Sequence, residues 1–236
     1  MVYGEMDERK QYWGQKVMGL EIDLLAKYPK VSRDLSARLE AKTAEARAIG
    51  RKFGFDYFDG DRNHGYGGFT YQERFWKPVV PDLISHFNLN SSSRVLDVGC
   101  AKGFFLHDLQ EALPGIDVNG IDISQYAIDN SIESVQSKVR LGDARQLEFP
   151  DSSFDFVMSI NTIHNLDRDD CAKALTEIQR VSGGKSFITV DAYRNETERE
   201  RMEAWNLTAL TMMSVDEWKE FFKEVGYDGD YYWFIP

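Results

Sequence analysis

The sequence predicts an α/β protein built on a doubly wound, mostly parallel sheet, and three observations carry that prediction. Short apolar strands alternate with helical segments from residue 94 onward. The first strand, Val95 to Val98, contains Asp97 and turns on Gly99 and Gly103 into an apolar helix that opens at Phe104. A second strand, VNGID, brings Asp122 to the same edge about 20 to 25 residues after the turn, where such sheets place a carboxylate on ribose hydroxyls. Strands with mostly buried residues argue for helices on both faces and for a ligand at the carboxyl edge near the first strand.

Residues 7 to 27 place Val17, Leu20 and Leu24 at helical spacing, with Tyr28 ahead of Pro29, and Ser32 to Ile49 reads as a second helix closed by Gly50. The connector 53 to 69, FGFDYFDGDRNHGYGGF, is too irregular for a long element and too apolar for a disordered tail, so it must pack on something. Thr70 with Glu73 fits a capping box for a short helix ending before Pro78, and a helix through Leu83, Ile84 and Phe87 leads into the first sheet strand. Residues 138 to 142 form the third strand. DSSFDFVMSI, 151 to 160, is a turn and a buried fourth strand, with 161 to 166 as the loop at its carboxyl end. Asp167 caps a helix through Ala174, Leu175 and Ile178 that Gly183 and Gly184 terminate, and residues 185 to 190 are the fifth strand, followed by Asp191 and Tyr193. An inserted helix spans 195 to 213. Ser214 and Glu217 make a capping box for the last helix, stopped by Gly226, and one strand, 231 to 235, remains. The organisation expected is an N-terminal helical extension with an aromatic, glycine-rich lid over 1–78, then one compact ligand-binding unit over 79–236.

The net charge of −11 disfavours a nucleic-acid partner, whose phosphates call for a basic surface. Arg47, Arg51 and Lys52 form at most a small local patch, and the other basic residues are scattered among acids as on solvated helix faces. Cys100 and Cys171, in a chain without a secretory leader, read as reduced thiols. No apolar run reaches the ~18 residues a membrane span needs, so a soluble, cytoplasmic protein with no membrane partner is expected. His64, His86 and His107 show no partner spacing, and no metal site is expected.

The run Gly99, Cys100, Ala101, Lys102, Gly103 lacks the close glycine spacing of a pyrophosphate cradle. By itself the turn leaves open a methyl donor, a dinucleotide or a purely structural strand-turn-helix. RVLDVGCAKGFFL resembles motif I of the class I S-adenosylmethionine-dependent methyltransferases, acid-x-Gly-x-Gly-x-Gly, with Ala101 at the middle glycine. A left-handed backbone at that alanine would be strained. The resemblance extends over residues 79 to 235 through four ordered segments. It implies a Rossmann-like fold with an antiparallel terminal strand and S-adenosyl-L-methionine as cofactor, released as S-adenosyl-L-homocysteine. It also implies a donor site at Asp97, Gly99, Cys100, Ala101, Gly103, Asp122, Ile123, Asp143, Ala144 and Asn161, with Asp143 on the adenine amino group. Asp122 could instead cap the helix near Ser124, and Asp143 could make an Asx turn.

The reaction implied is an in-line displacement in which the enzyme aligns an N or O nucleophile with an activated methyl group. His164, just past the fourth strand, is the candidate base, against a packing role; Asp191 could hold a cationic acceptor, against simple loop bonding. Tyr66, Arg74, His164, Tyr193 and Trp205 are the candidate acceptor contacts. Tyr66 lies in a connector that reads either as a lid hinged on Gly67 and Gly68 or as an aromatic staple between the N-terminal helices and the core. The loop after the fourth strand lacks the Asn/Asp-Pro-Pro-aromatic tetrad, so NTIHNL looks more like the small-molecule branch, with a natural-product or sugar-like acceptor. A protein or peptide methyltransferase, a donor-binding regulator without turnover and a nicotinamide oxidoreductase are the competing classes. A homodimer partner could cover the short end of the sheet.

Overall fold

The computed structural model describes residues 19–29 and 43–236. Its sheet has seven strands: β1 (Arg94–Val98), β2 (Asp117–Asp122), β3 (Val139–Leu141), β4 (Phe156–Ile160), β5 (Ser186–Tyr193), β6 (Met213–Ser214) and β7 (Asp230–Phe234). The order runs β3-β2-β1-β4-β5-β6, with β7 also on β5. The chain therefore reverses its direction of travel between β1 and β4, the crevice where open sheets of this kind take ligands.

Successive strand residues go to opposite layers, which is why the strands are apolar throughout. Val95, Val118, Phe156 and Phe187 join Leu83 and Phe87 of α4 (Val80–Phe87) and Leu106 and Leu109 of α5 (Phe104–Ala112). Leu96, Ile121, Val157 and Ile188 face the other way, onto Leu175 and Ile178 of α7 (Arg168–Ser182) and Trp218 and Phe222 of α9 (Val215–Val225). The other α-helices among the described residues are α1 (Ala44–Gly50), α2 (Phe55–Phe58), α3 (Glu73–Trp76), α6 (Gln125–Asp129) and α8 (Glu196–Trp205).

The doubly wound sheet is as expected, but its terminal strand is not antiparallel. β7 pairs with β5 in parallel, Phe187 opposite Asp230 through Asp191 opposite Phe234. The connection explains the correction: the eleven-residue α9 crosses a face of the sheet before β7 and returns the chain to the edge it left, whereas an antiparallel neighbour would need a hairpin. The expected helix over residues 7 to 27 is also corrected where it is described. Residues 20–22 run extended beside β7, with the Ile22 amide donating to the Tyr231 carbonyl and the Tyr231 amide to the Leu20 carbonyl, both at 3.0 Å. The Trp233 indole N–H donates to Glu21 Oε1 at 2.7 Å. Residues 20–22 thus lie along the edge of β7, an edge that a partner subunit could otherwise have covered. Residues 1–18 and 30–42, including much of the second expected helix, lie outside the described residues.

The caps at Asp167, Ser214 and Gly226 form as expected, the Ser214–Glu217 pair as a full capping box. The Thr70–Glu73 box does not: α3 starts two residues later, after an extended Gln72 with no side-chain cap.

Candidate donor and acceptor site

The β1 turn is built from left-handed residues. Gly99, Ala101 and Gly103 have φ of +87°, +48° and +77°, and the Gly99 and Cys100 amides both donate to the Ile121 carbonyl at the tip of β2. Gly99 has no room for a side chain, because a Cβ there would lie 2.1 Å from Thr162 Oγ1 in the loop after β4. Ala101 does adopt the left-handed conformation. Its strain, of order 1–2 kcal/mol, is held by a hydrogen bond from its amide to Asp122 Oδ2 at 2.8 Å. Gly120 on β2 makes space for the turn, since a Cβ there would lie 2.8 Å from both Cys100 Sγ and Leu106 Cδ1.

Two carboxylates stand at this crevice. Asp97 is buried, and burial together with the charge of Asp122 pushes its carboxyl up to about 8. Asp122 is also pushed up by burial, opposed by the backbone amides of Ser124, Ala101 and Ile123. Its Oδ1 accepts from the Ser124 amide at 2.8 Å, and Ser124 caps α6. The helix cap is thus Ser124 rather than Asp122, whose bond to the Ser124 amide is a local turn contact, and each Asp122 oxygen retains a further acceptor site. Beside it the Ile123 side chain is 58% exposed, an apolar wall open at the carboxyl edge.

The third acid is placed differently. Asp143 sits in a turn with its Oδ1 accepting from the Arg145 amide, and the Arg145 guanidinium grips both its oxygens at 2.6 to 3.0 Å. That fork holds the Asp143 carboxyl below its ordinary range. Ala144 packs on the core. Asn161, left-handed at φ +51°, spends its Oδ1 on the Thr189 hydroxyl and its amide on the Thr189 carbonyl.

His164 is buried between the tips of β4 and β5. Its Nδ1 accepts the Asp191 amide at 3.0 Å, so the ring proton sits on Nε2, 3.7 Å from Asp191 Oδ2. Burial lowers its tendency to protonate. In this arrangement the imidazole has no lone pair free for an acceptor; it joins the β4 loop to β5, and its carbonyl takes the amides of Leu210 and Thr211. Trp218 donates its indole N–H to the Asp191 carbonyl. Tyr193 is half-buried beside Glu217, and Trp205 packs on Phe234. Arg74 is exposed, its guanidinium over Phe75, with no contact to the crevice.

Connector residues 53 to 69 lie on the β1 turn. Lys102 Nζ reaches Asp59 Oδ2 at 2.6 Å and the Phe69 carbonyl at 2.9 Å. The Tyr126 hydroxyl donates to the same Asp59 oxygen, Ser124 Oγ donates to the Phe53 carbonyl, and Phe69 stacks on Phe104 at 5.0 Å. Tyr66 is 41% exposed and rests on Phe69 at 4.4 Å. Tyr57 is half-buried beneath, hydrogen-bonded to Tyr66 and Thr208, and desolvation raises its phenol strongly. Arg47 donates to the Asn206 carbonyl and Arg51 to those of Thr208 and Ala209, so this pair clamps the segment after α8 rather than forming a free basic patch.

The sequence reading missed Lys102, Asp59, Tyr126, Tyr57 and Thr162. Lys102 carried the one available signal: a lysine inside a turn otherwise made of small residues. The reading of His107 as isolated is also corrected, since ligand atoms of His107, Asp108 and Glu111 lie within 4.8 Å of one another on α5. Adjacent positions hid that grouping. Tyr71 occupies one Asp108 oxygen and Lys77 lies 3.3 Å from Glu111. Among the described residues no helix is long and apolar enough to cross a membrane.

Residues 95–183 match a family model described as a methyltransferase domain. The chain is 27% identical over 140 residues to an uncharacterized methyltransferase of Schizosaccharomyces pombe, covering 53% of this chain and 49% of that one. It is 25% identical over 150 residues to the 27-O-demethylrifamycin SV methyltransferase of Amycolatopsis mediterranei, covering 58% and 55%. The chain thus spans about half the length of these curated relatives. In fold it is similar to phosphoethanolamine N-methyltransferase 2 of Haemonchus contortus, solved with S-adenosyl-L-methionine: TM-score 0.54 at 20% identity, covering 75% of this chain and 44% of that one. The sheet order and the acid-glycine turn agree with the matched segment, so residues 95–183 carry a methyltransferase-type domain similar to those of the class I S-adenosylmethionine-dependent methyltransferases.

Proposed function

We propose that the chain binds S-adenosyl-L-methionine at the β1 turn and transfers its methyl group to an N or O nucleophile of a small, partly apolar acceptor, a natural-product or sugar-like metabolite. The observation that carries this is the turn itself: three left-handed residues, a Gly99 that admits no Cβ, and Asp122 bonded across to Ala101. Such a turn lets backbone approach a ligand closely, and it lacks the glycines that a pyrophosphate would require. The residues fit the donor's chemistry. Asp122 has acceptor capacity for ribose hydroxyls, Ile123 offers an open apolar face to adenine, and the buried Asp97 carboxyl is relieved by a cationic ligand. Asp143 would meet an adenine amino group only by exchanging part of its Arg145 fork.

Bound there, the donor supplies a methyl group already activated by its sulfonium charge. The protein's own contribution is alignment and exclusion of water. In this reading His164 and Asp191 act by fixing the β4 and β5 tips, so the acceptor brings its own lone pair. An apolar acceptor is favoured because five of the large hydrophobic side chains left exposed, Phe55, Tyr66, Ile123, Leu141 and Leu210, belong to the connector, to residues at or just past the carboxyl ends of strands, or to the segment bonded to His164.

Calorimetric titration with S-adenosylmethionine against NAD tests the donor: binding of the first alone is expected, and binding of NAD alone overturns the reading. Tritium transfer from labelled donor into cell extract, sorted by size, tests the acceptor. Label in small molecules supports the proposal, label in protein favours a protein or peptide methyltransferase, and donor binding with no transfer favours a regulator.

A further inference from the structure

We propose that Lys102 is a positioning residue whose partly buried ion pair with Asp59 latches the connector, residues 53 to 69, onto the donor turn, and that opening this latch sets the rate of donor exchange. The inference rests on the reading that the turn holds S-adenosylmethionine.

The connector is a stiff plate rather than a strap. Three bonds close it on itself: the Tyr66 amide to the Tyr57 carbonyl at 2.8 Å, the Gly68 amide to the Phe58 carbonyl at 3.0 Å, and the Phe69 amide to Asp59 Oδ1 at 2.8 Å. The Phe58, Tyr66 and Phe69 rings fill it, with centroids 4.4 to 6.0 Å apart. A body tied this way moves as a unit, so its opening is governed by its contacts with the core. Apart from the Tyr57 bond to Thr208, those contacts meet residues of the β1 turn and the cap beside it: Ser124 on the Phe53 carbonyl, Tyr126 and Lys102 on Asp59, Lys102 on the Phe69 carbonyl and Phe104 under the Phe69 ring.

Lys102 is the charged member of this set on the turn itself, between Ala101 and Gly103. It is only 6% exposed, and its ammonium donates to Asp59 and Phe69 while lying 5.8 Å from the centroid of the Tyr126 ring. Asp59 is the matching hub, with one oxygen inside the plate and the other on Lys102 and Tyr126. A fully exposed pair would hold little, but here the Lys102 side chain is 8% exposed and that of Asp59 22%, so the pair is partly shielded from water, and its hydrogen bonds must break before the plate can lift. The latch is therefore made between the residue beside the donor and the plate that covers it, and the two cannot part without breaking it.

The test compares wild type, Lys102→Met, Lys102→Arg and the double variant Lys102→Met with Asp59→Asn, which removes both charges and leaves neither stranded. Donor release is read by chasing bound tritiated S-adenosylmethionine with excess unlabelled donor. Plate opening is read in the unliganded chain by hydrogen exchange at the Tyr66, Gly68 and Phe69 amides, with the Leu109 amide of α5 as an internal control. The expected result is release and plate exchange both faster by about tenfold or more in the double variant, near wild type in Lys102→Arg, with Leu109 unchanged. Wild-type release rates or wild-type plate protection in the double variant overturn the latch while leaving the functional reading in place. A wild-type chain that takes up no S-adenosylmethionine overturns the functional reading, and the gate with it.

Discussion

The donor edge and the roof above it are built on different principles. At the β1 turn, the proposed donor site, the backbone sets the shape: left-handed residues, amides bonded to the Ile121 carbonyl and a Gly99 pressed against Thr162. In the roof, side chains distant in sequence do the holding, as where Arg47 and Arg51 clamp residues 206 to 209 and Lys102 reaches Asp59. Backbone geometry at the turn tolerates almost no substitution, whereas side chains of the roof away from the Lys102–Asp59 pair can change without altering the turn. The contrast separates a shared chemistry from a chain-specific specificity.

The sharpest test of that contrast sets one glycine against another. Gly99→Val faces both a positive φ and a collision with Thr162, so donor affinity is expected to fall by about 100-fold or folding to fail. Gly68→Val, at φ +108° with nothing near its missing Cβ, incurs backbone strain of about 1–2 kcal/mol and should loosen the plate alone. Equal donor affinities by calorimetry in the two variants would erase the distinction.

A smaller effect lies in the pH response of Asp97. Its carboxyl is raised to about 8 when folded, so between its ordinary value near 4 and pH 8 the native chain keeps a proton that the unfolded chain has lost. Stability from this group is full at low pH and is lost as pH rises through 8. Asp97→Asn should therefore melt several degrees above wild type at pH 8, with the gap closing toward pH 5. A cationic donor favours the carboxylate, so wild-type binding should tighten from pH 6 to 9 and release a proton, seen as buffer-dependent binding heats. A pH-independent melting difference would point to packing instead.

In the roof, Tyr57→Phe removes the hydroxyl shared with Tyr66 and Thr208, at a cost of about 1 kcal/mol. The acceptor KM should rise by about three- to tenfold while the donor Kd stays within about twofold; a matching loss of donor affinity would place Tyr57 on the donor side. The smallest change is a gain. Ala101→Gly relieves a left-handed alanine and should raise the melting temperature by about 2 °C with donor binding retained.

Much of this protein was legible in its residues. The succession of strands along the chain, the turn at Gly99, the caps at Asp167 and Ser214 and the stops at Gly183 and Gly226 are local signals, written in short apolar runs, glycines and short polar side chains. Those signals located the β1 turn and the methyltransferase resemblance of the segment around it because backbone conformation is encoded within a few neighbouring residues. Other features left no local trace. β7 runs parallel because α9 crosses the sheet before it, and His164 is tied up by an amide 27 residues away. Lys102 finds its counterion 43 residues upstream, and residues 20–22 settle beside a strand some 210 positions later. Such pairings depend on which faces meet once the sheet has closed, and burial then decides whether a histidine serves as a base or a strut, and whether a lysine is free or latched.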